Sequence, residues 1–239
     1  MIVSTKAIVL SAIKYSEADL IVSCFTESAG LKSYLLRNIL KSRKGKLRVS
    51  HFQLLTQLEL TASHRDKGTL ERIQEAKVIN PYSSLHTDVV KTGLVMFLAE
   101  MLKMAIREEE ANRILFIYLQ RALDWLDVND SVANFHILFL LNLTSFLGFY
   151  PDMVDSEQEY FNLQEGIFES SPIGPTSVKG PQVEALKEFF GMDFDNIGGI
   201  RLTKTMRSEV LNLLLSYYEL HLQAYKKPKS LLVLNQLFN

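Results

Sequence analysis

Cysteine is nearly absent from this sequence, since Cys24 is the only one in 239 residues. A single thiol forms no internal disulfide and excludes a zinc site built from several cysteines of one chain. It also fits a reducing compartment, and no secretory signal pattern follows Met1, so we expect a cytoplasmic protein. Within the fold we expect Cys24 to act as a small buried apolar group in a strand.

Long apolar runs are missing as well. The longest, from Phe135 to Tyr150, is interrupted by His136 and Asn142. It is also shorter than the roughly 20 apolar residues that a membrane-spanning helix needs. We therefore expect a buried helix here and no membrane association.

Motifs for catalysis and cofactor binding are also lacking. The chain has neither a phosphate-binding loop nor a dinucleotide fingerprint, and Gly198-Gly199 alone indicates only a turn. No nucleophile and base stand at a recognisable spacing. The histidines are too scattered for a metal site and are expected to be surface or satisfied core residues: His51, His64, His86, His136 and His221. These absences predict a protein that is not an enzyme and needs no cofactor or metal.

Carboxylates are missing from one stretch in particular. Residues 37–48 contain six cations and no acidic residue: Arg37, Lys41, Arg43, Lys44, Lys46 and Arg48. Such a segment attracts polyanions by releasing their counterions, which favours nucleic acid as the partner. We predict that these side chains, with Tyr15 and Tyr34 as stacking platforms, bind nucleic acid. The alternatives are a solvated surface loop and tyrosines that belong to the core.

Charge is divided unevenly along the chain. Residues 1–80 carry thirteen Lys and Arg against seven Asp and Glu, whereas residues 81–239 carry thirteen against twenty. The net charge of −1 therefore hides a basic N-terminal part and an acidic C-terminal part. This asymmetry places nucleic-acid binding in the N-terminal part.

Short β-branched and alternating runs dominate the first eighty residues. They predict five strands, at residues 5–15, 20–26, 31–37, 53–61 and 69–79. The spacing of Leu70, Ile73 and Ala76 in the last run would also suit a short helix. Five short strands in this length favour a small closed β-barrel of the OB type.

The pattern changes to a helical period after Asn80-Pro81. Helices are predicted at residues 88–107, 109–127, 131–147, 182–190 and 204–225. We expect Asp130 or Ser131 to cap the third of them, and residues 150–178 to form an irregular excursion. The fold class predicted is α+β with two domains, an OB-fold domain at residues 1–80 and an all-α domain at residues 81–239.

Several short motifs occur in a recognisable order. They are Tyr15-Ser-Glu-Ala-Asp19, Phe25-Thr-Glu-Ser-Ala-Gly30, the basic stretch, Phe149-Tyr-Pro151, Tyr218-Glu-Leu-His-Leu222 and Lys229-Ser-Leu231. In this order they resemble the RecO family of bacterial DNA repair and recombination mediators. The resemblance extends over essentially the whole chain.

The resemblance implies a function as well as a fold. It implies binding of single- and double-stranded DNA, strand annealing, and partnership with RecR and the single-strand-binding protein SSB in loading RecA. The acidic, apolar-ended SSB tail would dock on the helical domain, where exposed cations are candidates: Lys103, Arg107, Arg113 and Arg121. Ordinary surface ion pairing is the alternative for each.

One feature departs from the family pattern. Many members carry four zinc-binding cysteines just after the position of Tyr150-Pro151, and residues 152–175 contain none. We therefore expect no zinc, and expect Tyr160, Phe161 and Phe168 to hold this segment by packing. A protein-interaction adaptor with an incidental basic loop remains the alternative function, and a small hydrolase is a third class that no motif supports.

Overall fold

The computed structural model describes residues 1–42, 46–65 and 69–238. A strand-rich region comes first and a helical region follows, as predicted. The chain groups into two compact units, residues 1–128 and 129–239. The first two helices therefore group with the strands, and the predicted domain boundary after residue 80 stays a prediction.

Five antiparallel strands form the sheet of the first unit, in the order β3-β2-β1-β4-β5. They are β1 (Ile2–Lys14), β2 (Leu20–Thr26), β3 (Gly30–Leu36), β4 (Gln57–Ser63) and β5 (Arg72–Val78). The fifth predicted strand is confirmed as a strand and not a helix. The strand β4 begins at Gln57, whereas the predicted strand began at residue 53. The reason is that Leu55 has a positive φ of 59°, which turns the chain before strand pairing starts.

The two edges of this sheet meet at one point. The Glu71 N–H donates to the Ser33 carbonyl at 2.8 Å, and the Leu35 N–H donates to the Glu71 carbonyl at 3.0 Å. These bonds flank a single parallel bridge between Tyr34 and Glu71. A closed barrel needs a continuous ladder at this seam. The observed element is thus a five-stranded sheet with touching edges.

The core of the first unit lies on the alternating inner face of these strands. Phe25 and Phe52 belong to this core and are 1% and 2% exposed. Cys24 is fully buried in β2, also as predicted. Its burial raises the pKa of the thiol well above the usual range, so it stays protonated.

Two helices complete the first unit, α1 (Val89–Ala105) and α2 (Arg113–Val128). Asp88 caps α1 by accepting the Lys91 N–H at 2.8 Å. Asn112 caps α2 by accepting the Leu115 N–H at 3.0 Å. Both helices are shorter than predicted because residues 108–110 leave the helical path and pack on the turn between β2 and β3.

The second unit contains four α-helices, a 3-10 helix (Phe194–Gly199) and a small sheet among the described residues. The helices are α3 (Phe135–Leu147), α4 (Pro181–Lys187), α5 (Lys204–His221) and α6 (Leu231–Phe238). The predicted cap of α3 at Asp130 or Ser131 is wrong. The residue before the helix is Asn134, whose side-chain amide instead donates to the Ile200 carbonyl at 2.8 Å.

Part of the excursion predicted at residues 150–178 is ordered as an antiparallel sheet. Its strands are β6 (Tyr160–Asn162), β7 (Ile167–Glu169) and β8 (Ser177–Lys179), in the order β7-β6-β8. Each strand has three residues, too few to leave a period in the sequence. The prediction that residues 150–178 are irregular is therefore wrong for these three strands.

Aromatic packing holds the small sheet, as predicted for two of its three aromatics. The rings of Phe161 and Phe168 stack with centroids 5.0 Å apart, and Phe161 lies 5.4 Å from Tyr217. Tyr160 is only half-buried, with the Lys179 ammonium 4.8 Å from its ring centroid. No group of three or more His, Cys, Asp or Glu side chains is placed to hold a metal among the described residues. The donor set of this segment does not fit zinc.

Candidate nucleic-acid interface

The basic stretch follows β3 and leads into a short 3-10 helix, Val49–Phe52. Four of its six cations lie in described positions and all four are exposed: Arg37, Lys41, Lys46 and Arg48. Arg43 and Lys44 lie outside the described residues. The stretch therefore presents positive charge to solvent, which is the first requirement of a phosphate-binding surface.

The turn between β1 and β2 anchors the start of this stretch. The Asn38 N–H donates to the Asp19 carboxylate at 2.7 Å, and the Leu40 N–H donates to the Ala18 carbonyl at 3.0 Å. Ile39, between them, is 4% exposed and packs into the core. These contacts bring the β1–β2 turn beside the basic stretch although the two are distant in sequence.

Carboxylates from other elements approach two of the cations. Lys41 lies 3.5 Å from Glu17, and Lys46 lies 2.6 Å from Glu75. The hydrogen bond between Lys46 and Glu75 raises the pKa of the lysine and lowers that of the carboxylate. The stretch has no acid of its own, but the fold supplies acids nearby. Exposed pairs of this kind contribute little to stability, so a polyanion can displace them.

The two tyrosines predicted as stacking platforms have different surroundings. Tyr15 is 64% exposed at the end of the β1 hairpin. Tyr34 is fully buried, and its hydroxyl lies 2.9 Å from His64 Nε2. A buried ring offers no face to a base, so Tyr34 is removed from the candidate interface. The alternating burial of β3 places it on the inner face.

A cleft of about 520 Å³ opens beside the basic stretch. Arg37 and Lys46 line it from the segment after β3, and Arg65 and Arg72 line it from the connection between β4 and β5 and the first residue of β5. The sequence gives little signal for the last two, because an acidic residue stands next to each, Asp66 beside Arg65 and Glu71 beside Arg72. Only the pairing of Glu71 with β3 brings them to the basic stretch.

The four cations predicted for the SSB tail are all exposed and all belong to the first compact unit. Lys103 lies on α1, but Arg107 lies beyond the end of that helix at Ala105, so the two are not one helical turn apart as predicted. The Arg107 Nε–H donates to the Met104 carbonyl at 3.1 Å. Arg113, at the start of α2, lies 3.3 Å from Glu27.

Comparison with known families decides the affiliation of this chain. Residues 1–82 match the family model described as Recombination protein O N terminal, and residues 86–231 match Recombination protein O C terminal. The chain belongs to the RecO family. The resemblance found in the sequence motifs is thereby confirmed.

Relatives named DNA repair protein RecO match over the full length of both chains. The RecO protein of Christiangramia forsetii is 52% identical over 100% of each chain, and that of Flavobacterium psychrophilum is 45% identical over the same share. The RecO protein of Bacteroides fragilis is 36% identical, again over 100% of each chain. Membership in the RecO family supports a general role in DNA repair. Among the described residues, no helix is both long and apolar enough to cross a membrane.

Proposed function

We propose that this chain is a non-enzymatic mediator of DNA repair and recombination. It binds single- and double-stranded DNA, anneals strands and, with RecR, helps to replace SSB by RecA on single-stranded DNA. The observation that carries this proposal is the exposed basic stretch after β3 in a chain of the RecO family. Phosphate neutralisation by such a stretch supplies most of the affinity of sequence-independent binding.

The strand order supports an OB fold as the scaffold of this activity. The sheet runs β3-β2-β1-β4-β5, and its two edges approach in parallel at Tyr34 and Glu71. Closure at this point would make a small five-stranded barrel, whose loops commonly hold single-stranded nucleic acid. The basic stretch is the connection between β3 and β4 of that barrel.

The proposed DNA contacts combine phosphate binding with one stacking platform. Arg37, Lys41, Lys46 and Arg48 are exposed along the stretch, and Arg43 and Lys44 join them by their position in the sequence. Tyr15 is the exposed aromatic near this surface. Stacking of a base on such a ring contributes roughly 1–3 kcal/mol without selecting a sequence.

Salt-dependent DNA binding tests the proposal. If three to four cations of the stretch engage a single strand, they contribute about −2 to −3 to the slope of log K against log salt. Replacing Lys41, Arg43, Lys44 and Lys46 together by Gln should remove most of that contribution when an oligothymidine is titrated by fluorescence anisotropy. The variant Lys6→Gln/Lys77→Gln removes exposed cations from the outer face of the sheet and serves as the control. An unchanged slope in the fourfold variant would reduce the stretch to a solvated turn.

A further inference from the structure

The cleft beside the basic stretch combines cations from two separate parts of the first unit. Arg37 and Lys46 belong to the segment after β3, whereas Arg65 follows the end of β4 and Arg72 is the first residue of β5. The volume of about 520 Å³ falls within the roughly 300–1,000 Å³ of small-molecule sites. It is therefore large enough for one nucleotide-sized group.

The charge of the lining is unbalanced. The guanidinium groups of Arg37, Arg65 and Arg72 have no ion-pair partner within the part of the chain that the structure describes. Among the described residues of the lining, Glu71 is the one carboxylate; it is 5% exposed and accepts the Arg65 backbone N–H at 2.8 Å. An arginine guanidinium group that has no carboxylate partner is suited to phosphate, which it binds through paired N–H donors.

The floor of the cleft is apolar. It is formed by aliphatic side chains that include Ile39 and Ile73, both 4% exposed, and Leu70 stands at the rim with 42% exposure. Aliphatic groups contact the face of a base without reading its edges, so the contact is indifferent to sequence. The cleft thus offers an apolar surface for a base and, in the same lining, cations for the phosphates on either side.

We infer that this cleft receives one unpaired nucleotide of a single DNA strand. The inference rests on the proposed function and adds Arg65 and Arg72 to the DNA-binding surface. A base within a duplex stays in its stack and reaches only the rim, whereas a base of a single strand turns out at little cost. The cleft therefore favours single strands over duplexes, while the cations between Arg37 and Arg48 bind the phosphates of both.

The test compares Arg65→Gln/Arg72→Gln with the control Lys6→Gln/Lys77→Gln, which removes the same charge from positions outside the cleft. Binding of an oligothymidine and of a blunt duplex is measured by fluorescence anisotropy at one salt concentration. The cleft variant should lose about tenfold more affinity for the oligothymidine than the control does, in keeping with loss of a base and phosphate contact. Its affinity for the duplex should equal that of the control.

A second variant tests directly whether a base enters the cleft. Leu70→Trp places an indole at the rim of the cleft, and an inserted base should quench its fluorescence on addition of oligothymidine but not of duplex. The unchanged protein, whose single tryptophan is Trp125, measures the background.

The outcomes separate the two proposals. No DNA binding by the unchanged protein contradicts the proposed function itself. In a second outcome, the unchanged protein binds DNA, the cleft variant and the control lose the same affinity for oligothymidine, and Leu70→Trp shows no quenching. That result contradicts only the inference that the cleft receives a nucleotide. If the cleft variant loses as much affinity for the duplex as for oligothymidine, Arg65 and Arg72 are general phosphate contacts. That result also contradicts the inference that the cleft receives an unpaired nucleotide.

Discussion

Asp127, near the end of α2, shows how one buried carboxylate orders an irregular segment. Its Oδ1 accepts the N–H groups of Ser84 at 2.8 Å and Leu85 at 3.0 Å, and its Oδ2 accepts that of Ser83 at 2.8 Å. The Lys91 ammonium, itself 4% exposed, donates to the Asp127 carbonyl at 2.8 Å. Asp127 is thus a main point at which the connection from β5 to α1 is fixed to α2.

The same contacts determine the charge state of Asp127. Burial alone would raise its pKa, but the three backbone N–H donors outweigh burial and lower the pKa to about 2. A carboxyl whose pKa is depressed in the folded state stabilises the fold above its unfolded pKa. That stabilisation disappears as the pH falls through the folded value.

We predict that Asp127→Asn lowers the free energy of unfolding by about 2 kcal/mol at pH 7, because an amide nitrogen would face N–H donors where an oxygen now accepts. The difference between the two proteins should shrink as the pH falls from about 4 to about 2, where the native carboxyl becomes protonated. Urea denaturation across this pH range measures it, with exposed Asp130→Asn as the control. A difference that stays constant with pH would show that the charge of Asp127 has no such role.

At the scale of elements, the turn between β2 and β3 positions the segment that separates α1 from α2. Thr26 Oγ1 accepts the Ala29 N–H at 3.1 Å and donates to the Gly30 carbonyl at 2.8 Å. The Leu31 N–H then donates to the Glu108 carbonyl at 3.0 Å, and Lys32, 7% exposed, reaches Glu109 at 2.8 Å. The turn therefore decides where α1 stops and α2 begins.

Gly30 is the position where this arrangement tolerates no side chain. Its φ is +62°, and a Cβ would stand 2.3 Å from the backbone oxygen of Glu110. We predict that Gly30→Ala costs about 2–4 kcal/mol of stability, from backbone strain and displacement of a neighbouring main chain together. Thermal and urea unfolding measure the loss.

Gly148→Ala is the matched comparison for that substitution. Gly148 also has a positive φ, +83°, but nothing lies within 4 Å of the site of its Cβ. It should show only the strain of the left-handed conformation, about 1 kcal/mol. Equal losses at the two glycines would mean that the 108–110 segment yields freely and does not depend on the turn.

At the scale of the whole molecule, charge is unequal between the compact units. Residues 1–128 carry eighteen Lys and Arg against fourteen Asp and Glu, and residues 129–239 carry eight against thirteen. The cations proposed for DNA and those proposed for the SSB tail are all in the first unit. A polyanionic strand and an acidic peptide are therefore both expected to be attracted to it.

We predict that removing the charge of Lys103 and Arg107, or of Arg113 and Arg121, weakens the binding of an SSB tail peptide several-fold, because its carboxylates lose exposed cationic partners. Calorimetry with the peptide measures this, and oligothymidine binding should change little, as in the control Lys6→Gln/Lys77→Gln. Arg113 is already paired with Glu27. Within the Arg113 and Arg121 double variant, the loss of peptide affinity should therefore come mostly from Arg121. Unchanged peptide binding in both double variants would move the site elsewhere, with Lys226 and Lys227 as the next candidates.

The sequence by itself determined the order of elements and the affiliation of the chain. Residues 20–26 were predicted as a strand with the bounds that the structure has, because β-branched side chains and turn residues are local signals. The short motifs predicted the RecO family before any comparison. The exposure of Arg37, Lys41, Lys46 and Arg48 also followed from their charge, since lysine and arginine are rarely fully buried.

Tertiary structure decided which distant residues meet. It buried Tyr34 against His64, brought Glu17 and Glu75 to the basic stretch, and placed Arg65 and Arg72 across a cleft from Arg37. It also ended α1 at Ala105 and ordered three short strands where no period was visible. A sequence pattern reports the preference of each segment for a local conformation, whereas these features arise from hydrogen bonds and packing between segments far apart in the chain.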